Sequence, residues 1–193
     1  MISRLSVFIA NALCKSSTIG ESDKELYVYG FFVLLSQVFF FLMTALFGLI
    51  LGTLWESIVF YIMFSTLRSY AGGFHASKEC VCTVCTTAAL FITALILSYF
   101  KQSGSFAIPF CMLVFGSAVV YLLSPLDSED KPLSFNEFLD YRRRSRIISM
   151  VIVVIAVIGW LLNLPGLLYS AAASVFLESI LLFLGEVSAQ KKR

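Results

Sequence analysis

A single apolar run near the start of the chain limits what this sequence can fold into. Residues 26–67 contain only one charged side chain, Glu56. A helix that crosses a membrane needs ~20 mostly apolar residues, so this run is too long for one helix. We therefore predict two membrane-spanning helices here, joined by a turn near residues 48–56, with the second helix short.

Four more apolar segments follow, each close to spanning length. They are residues 80–100, 106–123, 147–163 and 167–184, the last preceded by Pro165-Gly166 and interrupted by Glu178. Charged residues make up 13% of the chain, against about 25% in soluble domains. This composition argues against a soluble enzyme, a nucleic-acid-binding protein or a disordered chain. We predict an all-α integral membrane protein, a single domain with about six transmembrane helices in residues 26–184.

Residues 1–16 are amphipathic rather than uniformly apolar, and their larger apolar side chains share one face of a helix: Ile2, Leu5, Phe8, Ile9, Ala12 and Leu13. We predict a helix that lies in the membrane interface. A removed signal is the alternative, but Leu13 stands before Cys14, where a lipoprotein-type cleavage site needs a small residue.

The basic residues are distributed unevenly over the connecting segments. With six spans and the N-terminus in the cytoplasm, all of the 14 Lys and Arg residues except Lys101 lie on the cytoplasmic side. Cytoplasmic loops of membrane proteins carry an excess of basic residues. We therefore expect both termini, including a tail of residues 185–193, to be cytoplasmic.

Most of the reactive side chains lie in residues 68–85, between the second and third predicted spans. This segment holds the only histidine, His75, and three of the five cysteines, Cys80, Cys82 and Cys85. Gly72-Gly73 precedes them and allows an unusual backbone turn. A Cys–His pair is a recurrent nucleophilic unit, because the imidazole takes the thiol proton and the thiolate attacks a carbonyl.

Three interpretations of these thiols are open from residue types alone. One cysteine could pair with His75 for acyl transfer. His75 and the three cysteines could instead hold a metal ion, although their spacing is tight for such a site. Cys82 and Cys85 could form a redox pair, but that chemistry favours the oxidising face of the membrane, and the charge distribution predicts the reducing face.

The same segment resembles the signature of the accessory gene regulator protein B (AgrB) family. The matching residues are Arg68, the Ala-Gly-Gly-Phe-His-Ala of residues 71–76, and Cys82, which follows His75 by seven positions. Cys80 and Cys85 do not match that spacing, and Phe74 stands where the family often has Tyr. The chain length, amphipathic start, number of spans and basic loops are also similar, so the resemblance covers nearly the whole chain.

Members of this family are cysteine endopeptidases of bacterial cell membranes that process a short quorum-sensing propeptide. The resemblance implies that Cys82 is the nucleophile and His75 the base in removal of the acidic tail of that propeptide. A Cys or Ser of the substrate would then attack the acyl-enzyme thioester and close a thiolactone or lactone ring. The implied partners are an AgrD-like amphipathic propeptide, the lipid bilayer and a second copy of the chain. Neither a cofactor nor a nucleic acid is implied.

Several other residues are candidates for supporting roles. Gly73, matched to the family motif, is expected to shape the turn, and Arg68 either holds the acidic tail of the substrate or anchors its helix at the lipid headgroups. Glu178 is a weaker candidate for substrate binding, since carboxylates inside a membrane are usually functional or paired. A basic cluster either attracts the acidic tail or anchors the chain on anionic lipid: Arg142, Arg143, Arg144 and Arg146.

Two other functions stand beside the endopeptidase. A membrane thiol–disulfide oxidoreductase would use Cys82 and Cys85, and would lose activity when Cys85 alone is replaced. A non-enzymatic peptide exporter would tolerate replacement of both His75 and Cys82.

Overall fold

The computed structural model describes residues 2–16, 20–73, 79–126 and 134–192, and its regular structure in these ranges is helical without strands. A short 3-10 helix covers Glu21–Asp23, and the α-helices are α1 (Ile2–Lys15), α2 (Lys24–Ile50), α3 (Leu54–Ala71), α4 (Glu79–Ser103), α5 (Ala107–Leu123), α6 (Phe135–Leu161) and α7 (Pro165–Lys192). The predicted all-α fold is confirmed.

The chain divides into two compact units, Met1–Met43 and Thr44–Arg193. The first unit contains α1 and most of α2. The predicted N-terminal helix is present, and its apolar side chains Leu5 and Phe8 are exposed. Exposed apolar side chains on an amphipathic helix are what an interfacial location requires.

Within the described ranges, four helices are long and apolar enough to cross a membrane, namely α2, α4 from Cys80, α6 and α7. Helix α5 is apolar but shorter, with 17 residues, and α3 has 18. The predicted turn between the first two spans is found between Ile50 and Leu54. The protein is therefore a membrane protein with long apolar helices in both units.

Two helices extend beyond the predicted apolar segments. Helix α6 begins at Phe135 rather than near residue 147, because Ser134 and Glu137 form a reciprocal capping box that starts the helix early. Helix α7 begins at Pro165, which suits the first position of a helix, and continues through the predicted tail to Lys192. Both extensions are polar, so they lie outside the apolar segments from which the spans were predicted.

Helix α7 is the centre of the second unit and packs against α3, α4, α5 and α6. Its middle is buried on all sides, and five consecutive residues there are small: Ser170, Ala171, Ala172, Ala173 and Ser174. Small residues let membrane helices approach closely. The approach of α5 is so close that a Cβ on Gly116 would lie 3.0 Å from the carbonyl oxygen of Val175.

Helix α3 runs in the same direction as α7 along its length. At the start of both helices, Ser170 Oγ donates a hydrogen bond to the carbonyl oxygen of Glu56 at 2.8 Å. At the end of α3, Arg68 lies beside Glu178 of α7. Helix α3 therefore lies alongside the candidate span of α7 from Ser170 to Glu178.

Helices α5 and α6 follow the alternation expected of a membrane bundle. Helix α5 is parallel to α7, since Phe106 contacts Tyr169 and Phe115 contacts Phe176. Helix α6 is antiparallel to α5, as two contacts at its opposite ends show: Phe110 with Trp160, and Tyr121 with Arg146.

An ion pair closes the end of the bundle where α3 begins. Lys101 Nζ lies 3.0 Å from Glu56 Oε1 and donates a hydrogen bond of 2.9 Å to the carbonyl oxygen of Gly52. The Glu56 side chain is largely buried, whereas that of Lys101 is 49% exposed. Lys101, the one basic residue predicted to lie outside the cytoplasm, thus pairs with Glu56, the only charged residue in residues 26–67.

Candidate functional site

The predicted site begins where α3 ends, at Gly72. Its φ is 78°, a left-handed conformation that favours glycine, and its amide caps α3 by donating to the carbonyl oxygen of Arg68. The amide of Leu126 donates to the carbonyl oxygen of Ala71 at 2.9 Å. A Cβ on Gly72 would lie 2.5 Å from the carbonyl oxygen of Leu126. The turn after α3 is therefore held by the segment that follows α5.

Gly73 occupies a narrow space between α3 and α7. Its φ is 129°, and a Cβ there would lie 2.9 Å from Arg68 Nη1 and 3.5 Å from the Cβ of Leu181. Gly73 is buried, so a side chain at this position could not turn outward into solvent. The structure thus places Arg68 and Gly73, two predicted site residues, in direct contact.

The Arg68 side chain is directed toward α7, inside the second unit. Its Nη1 lies 3.6 Å from Glu178 Oε2, and its guanidinium carbon lies 6.0 Å from the centre of the Phe64 ring. The Glu178 side chain is fully buried, and that of Arg68 is 23% exposed. A buried carboxylate without a cation would be strongly destabilising, so this pairing explains how α7 accommodates Glu178.

The three clustered cysteines lie in the first two turns of α4, but they do not share a face. Cys80 and Cys85 are exposed, and Cys82 is half-buried. Cys82 lies at the start of the packed face of α4, which continues at helical spacing through Thr86, Leu90, Ala94, Leu97 and Phe100. Among these thiols, the one that matches the family spacing is also the one directed toward the other helices.

Helical geometry disfavours the two other interpretations of the thiols. Cys80 and Cys82 are two positions apart, and side chains at this spacing do not face each other on a helix. Cys82 and Cys85 are neighbours, but Cβ atoms three positions apart are separated by about 5–6 Å, longer than the ~3.5–4.5 Å of a disulfide. The described residues also contain no group of three or more His, Cys, Asp or Glu placed to hold a metal ion.

His75, the predicted base, lies outside the described residues, as do Phe74 and Ala76 of the motif. The structure describes the chain up to Gly73 and again from Glu79. The pairing of His75 with Cys82 therefore stays a prediction. It is supported by the described residues on both sides of His75, which are the turn at Gly72-Gly73 and the start of α4 with Cys82.

The basic cluster lies on α6, close to the end of α3. Arg144 is 5.7 Å from the centre of the Tyr70 ring, and Tyr70 in turn contacts Tyr141. Arg146 lies 3.9 Å from the centre of the Tyr121 ring and donates to its carbonyl oxygen. An open groove of about 540 Å³ is bordered by both charged and apolar residues: Tyr121, Leu139, Arg142, Arg143, Arg146, Ile147 and Met150.

One support of the site was not found from the sequence. Ser124 Oγ donates to Ser145 Oγ at 2.6 Å, and Ser145 Oγ in turn hydrogen-bonds to the carbonyl oxygen of Arg142. Both serines are buried, and Ser124 stands two residues before Leu126. Thus α6 fixes the segment that holds Gly72. Isolated serines carry no local signal of such a role, because it depends on contacts between distant parts of the chain.

A family model described as accessory gene regulator B matches residues 6–182. An AgrB-like protein 2 of Clostridium perfringens strain 13 is 25% identical over 186 residues, covering 87% of this chain and 85% of the relative.

Two further relatives support this match. An AgrB-like protein of Clostridium perfringens strain SM101 is 25% identical, and one of Halalkalibacterium halodurans is 23% identical; each alignment covers 94% of this chain and 87% of the relative. No solved structure matches the chain. The match over nearly the whole length shows that this chain belongs to the AgrB family of membrane proteins, which acts in the accessory gene regulator system of quorum sensing.

Proposed function

We propose that this protein is a membrane cysteine endopeptidase that removes the acidic tail of a quorum-sensing propeptide. The observation that carries the proposal is the position of Cys82, which follows His75 at the family spacing and lies on the packed face of α4. Cys82 also lies in the first turn of α4, where the positive end of the helix dipole favours an anion such as a thiolate.

The proposed reaction has two acyl-transfer steps. His75 takes the thiol proton of Cys82, the sulfur attacks the carbonyl before the tail, and the same proton passes to the departing amine. The rest of the peptide is then held as a thioester on Cys82. A Cys or Ser of the substrate attacks this thioester, its proton returns to the enzyme sulfur, and a thiolactone or lactone ring is released.

The partial burial of Cys82 favours ring closure over hydrolysis, in contrast to the exposure of the two neighbouring cysteines. A site that excludes water protects a reactive thioester until the nucleophile of the substrate reaches it. Exposed Cys80 and Cys85 would lack this protection. The basic cluster on α6 is a candidate to attract the acidic tail, because Arg144 stands beside Tyr70 near the turn that leads to His75.

The first prediction concerns the two catalytic residues. In cells that express an epitope-tagged AgrD-like propeptide from the same genome, Cys82→Ala should give no detectable tail cleavage by immunoblot. His75→Ala should slow cleavage by at least ~10²-fold, because general-base catalysis contributes about that much or more. The matched controls are Cys80→Ala and Cys85→Ala, which should retain most of the cleavage.

Each alternative function has its own outcome in this experiment. Full cleavage by Cys82→Ala would refute the endopeptidase. Loss of activity with Cys85→Ala alone would favour the thiol–disulfide oxidoreductase. Normal signal release by both Cys82→Ala and His75→Ala, without cleavage by this chain, would favour a peptide exporter.

A further inference from the structure

We propose that Glu178 is a positioning residue of the peptidase site, acting through Arg68 on the turn that leads to His75. This inference rests on the proposed function and adds to it a residue from the opposite end of the chain. Glu178 touches neither the substrate nor the thiol in this arrangement. Its effect passes from α7 to Arg68, from Arg68 to Gly73, and from Gly73 along two peptide bonds to His75.

The first step is an ion pair inside the bundle. Glu178 is fully buried in α7, and Arg68 Nη1 lies 3.6 Å from its Oε2. A carboxylate in such a place restricts the conformations of its cation, because moving the guanidinium away would leave a buried charge without its counter-charge. Arg68 is thereby held on the side of α3 that faces α7, although 23% of its side chain is exposed and a route to solvent exists.

The second step is steric contact with the turn. Arg68 Nη1 lies so close to Gly73 that a Cβ on Gly73 would be 2.9 Å away, and Leu181 limits the same space from α7. Glu178 and Leu181 are one helical turn apart, so α7 supplies both the charge that fixes Arg68 and the apolar wall behind Gly73. The backbone of Gly73, at a φ of 129°, passes between them.

The third step is set by chain length. His75 follows Gly73 by only two residues in the sequence, so a change at Gly73 is a change next to the proposed base. Gly72 is fixed separately by Leu126. Helix α4, which carries Cys82, packs against α7 as well. Helix α7 therefore packs against the helix that carries Cys82 and lies beside the glycine that precedes His75 by two residues, and Glu178 is the charged residue through which α7 acts on that glycine.

A role in packing alone would not require a carboxylate. Replacing buried ion pairs by apolar residues of similar volume is often neutral or stabilising. The other buried residues of α7 carry no charge, as with Ala171, Ala172 and Leu182. The charge at position 178 therefore points to control of the Arg68 position.

The test measures how the alkylation of Cys82 depends on pH. In the full-length protein with the other four cysteines replaced by alanine, iodoacetamide reacts with the Cys82 thiolate, whose formation His75 assists. His75→Ala gives the reference profile without the base. We expect Glu178→Gln to move the profile toward that reference and to lower the kcat of cleavage by up to ~10²-fold with little change in KM.

The matched control is Glu56→Gln. This change also removes a buried carboxylate that pairs with a cation on a neighbouring helix, but at the opposite end of α3. Its alkylation profile and its kcat per folded molecule should equal those of the parent. Glu178→Asp, which keeps the charge, should return part of the parent profile. Gly73→Ala, with Glu178 intact, should shift the profile as Glu178→Gln does.

The outcomes separate this inference from the proposed function. If His75→Ala leaves the alkylation profile unchanged, the Cys–His pair itself is wrong. If His75→Ala shifts the profile but Glu178→Gln does not, only the positioning role is overturned. A loss of folded protein in Glu178→Gln, with normal kcat per folded molecule, likewise assigns Glu178 to stability alone. If Glu178→Gln cannot be purified folded, an unshifted profile in Gly73→Ala overturns the inference.

Discussion

Gly72 has to be glycine for two separate reasons, its backbone conformation and the close approach of another segment. Its φ of 78° lies in the left-handed region, and its Cα faces the carbonyl oxygen of Leu126 so closely that a Cβ would be 2.5 Å away. Gly104 meets the first requirement alone, since its φ is 62° and nothing lies within 4 Å of a Cβ built there. Gly72 also has a ψ of −144°, outside the left-handed helical region, so an alanine at Gly72 meets both stronger backbone strain and the carbonyl oxygen of Leu126, whereas Gly104 lacks the close approach.

We predict that Gly104→Ala lowers the free energy of unfolding by about 1–2 kcal/mol, the cost of a left-handed alanine. Gly72→Ala should cost a further ~1–3 kcal/mol, because the added methyl group displaces Leu126 from its hydrogen bond to Ala71. The measurement is thermal unfolding of both purified variants in the same detergent. Equal melting temperatures would contradict the close approach of Leu126.

Single residues of the site were predictable only where the neighbouring sequence is enough to identify them. A lone histidine, a Gly-Gly pair and a cysteine at fixed spacing stand out in the sequence, and Arg68 belongs to the same segment. The partners Leu126, Ser145 and Leu181 do not, because each acts across a contact between segments distant in the chain. Glu178 lies between these cases: its presence in an apolar run signalled a partner, and the structure identifies that partner as Arg68.

At the scale of the helices, the ion pair between α3 and α4 offers a direct test of how buried charges are balanced. Lys101 is half exposed and keeps its hydrogen bond to Gly52 without Glu56, whereas Glu56 is largely buried and depends on Lys101. The two partners should therefore respond unequally to replacement.

We predict that Lys101→Met is the more damaging change, costing about 1–3 kcal/mol because it leaves a buried carboxylate oxygen without its charged partner. Glu56→Gln should cost less, and the double variant should resemble Glu56→Gln alone, since a neutral amide needs no counter-charge. Thermal unfolding of the three variants in detergent checks this order. Strict additivity of the two single effects would contradict a direct interaction.

Helices were predicted well where apolar runs define them and less well where polar residues extend them. The turn between α2 and α3 was located because only one charge and two glycines interrupt the run there. The first turns of α6 were missed, although Ser134 and Glu137 have the spacing of a capping box, because the prediction followed hydrophobicity rather than capping residues.

At the scale of the whole molecule, the direction of the helices bears on the number of membrane crossings. Among the residues that the structure describes, four helices have the length and hydropathy expected of a span, and α3 and α5 fall short. Yet α3 and α5 lie alongside α7 and run parallel to it, while α6 is antiparallel to α5. Helix α5 is apolar and falls short only in length, whereas α3 needs less hydrophobicity of its own because part of its surface meets α7 rather than lipid.

The directions of α3, α5, α6 and α7 fit six crossings, and for six crossings the basic residues predict that the connection around Lys101 lies outside the cell and both termini in the cytoplasm. A four-crossing arrangement that leaves α3 and α5 on one side would instead place Lys101 in the cytoplasm. The position of residue 102 therefore distinguishes the two arrangements, whereas residue 136 is cytoplasmic in both. Both positions are exposed, which makes them suitable for chemical labelling.

We predict that Gln102→Cys, in a chain whose native cysteines are replaced by alanine, reacts with a membrane-impermeant maleimide in intact cells. Asn136→Cys should react only after the cells are lysed, and it serves as the matched control. Labelling of Gln102→Cys only after lysis would reverse the side of Lys101 and exclude six crossings. It would also move the turn at Gly72-Gly73 to the outer face, away from the cytoplasm in which a newly made propeptide is found.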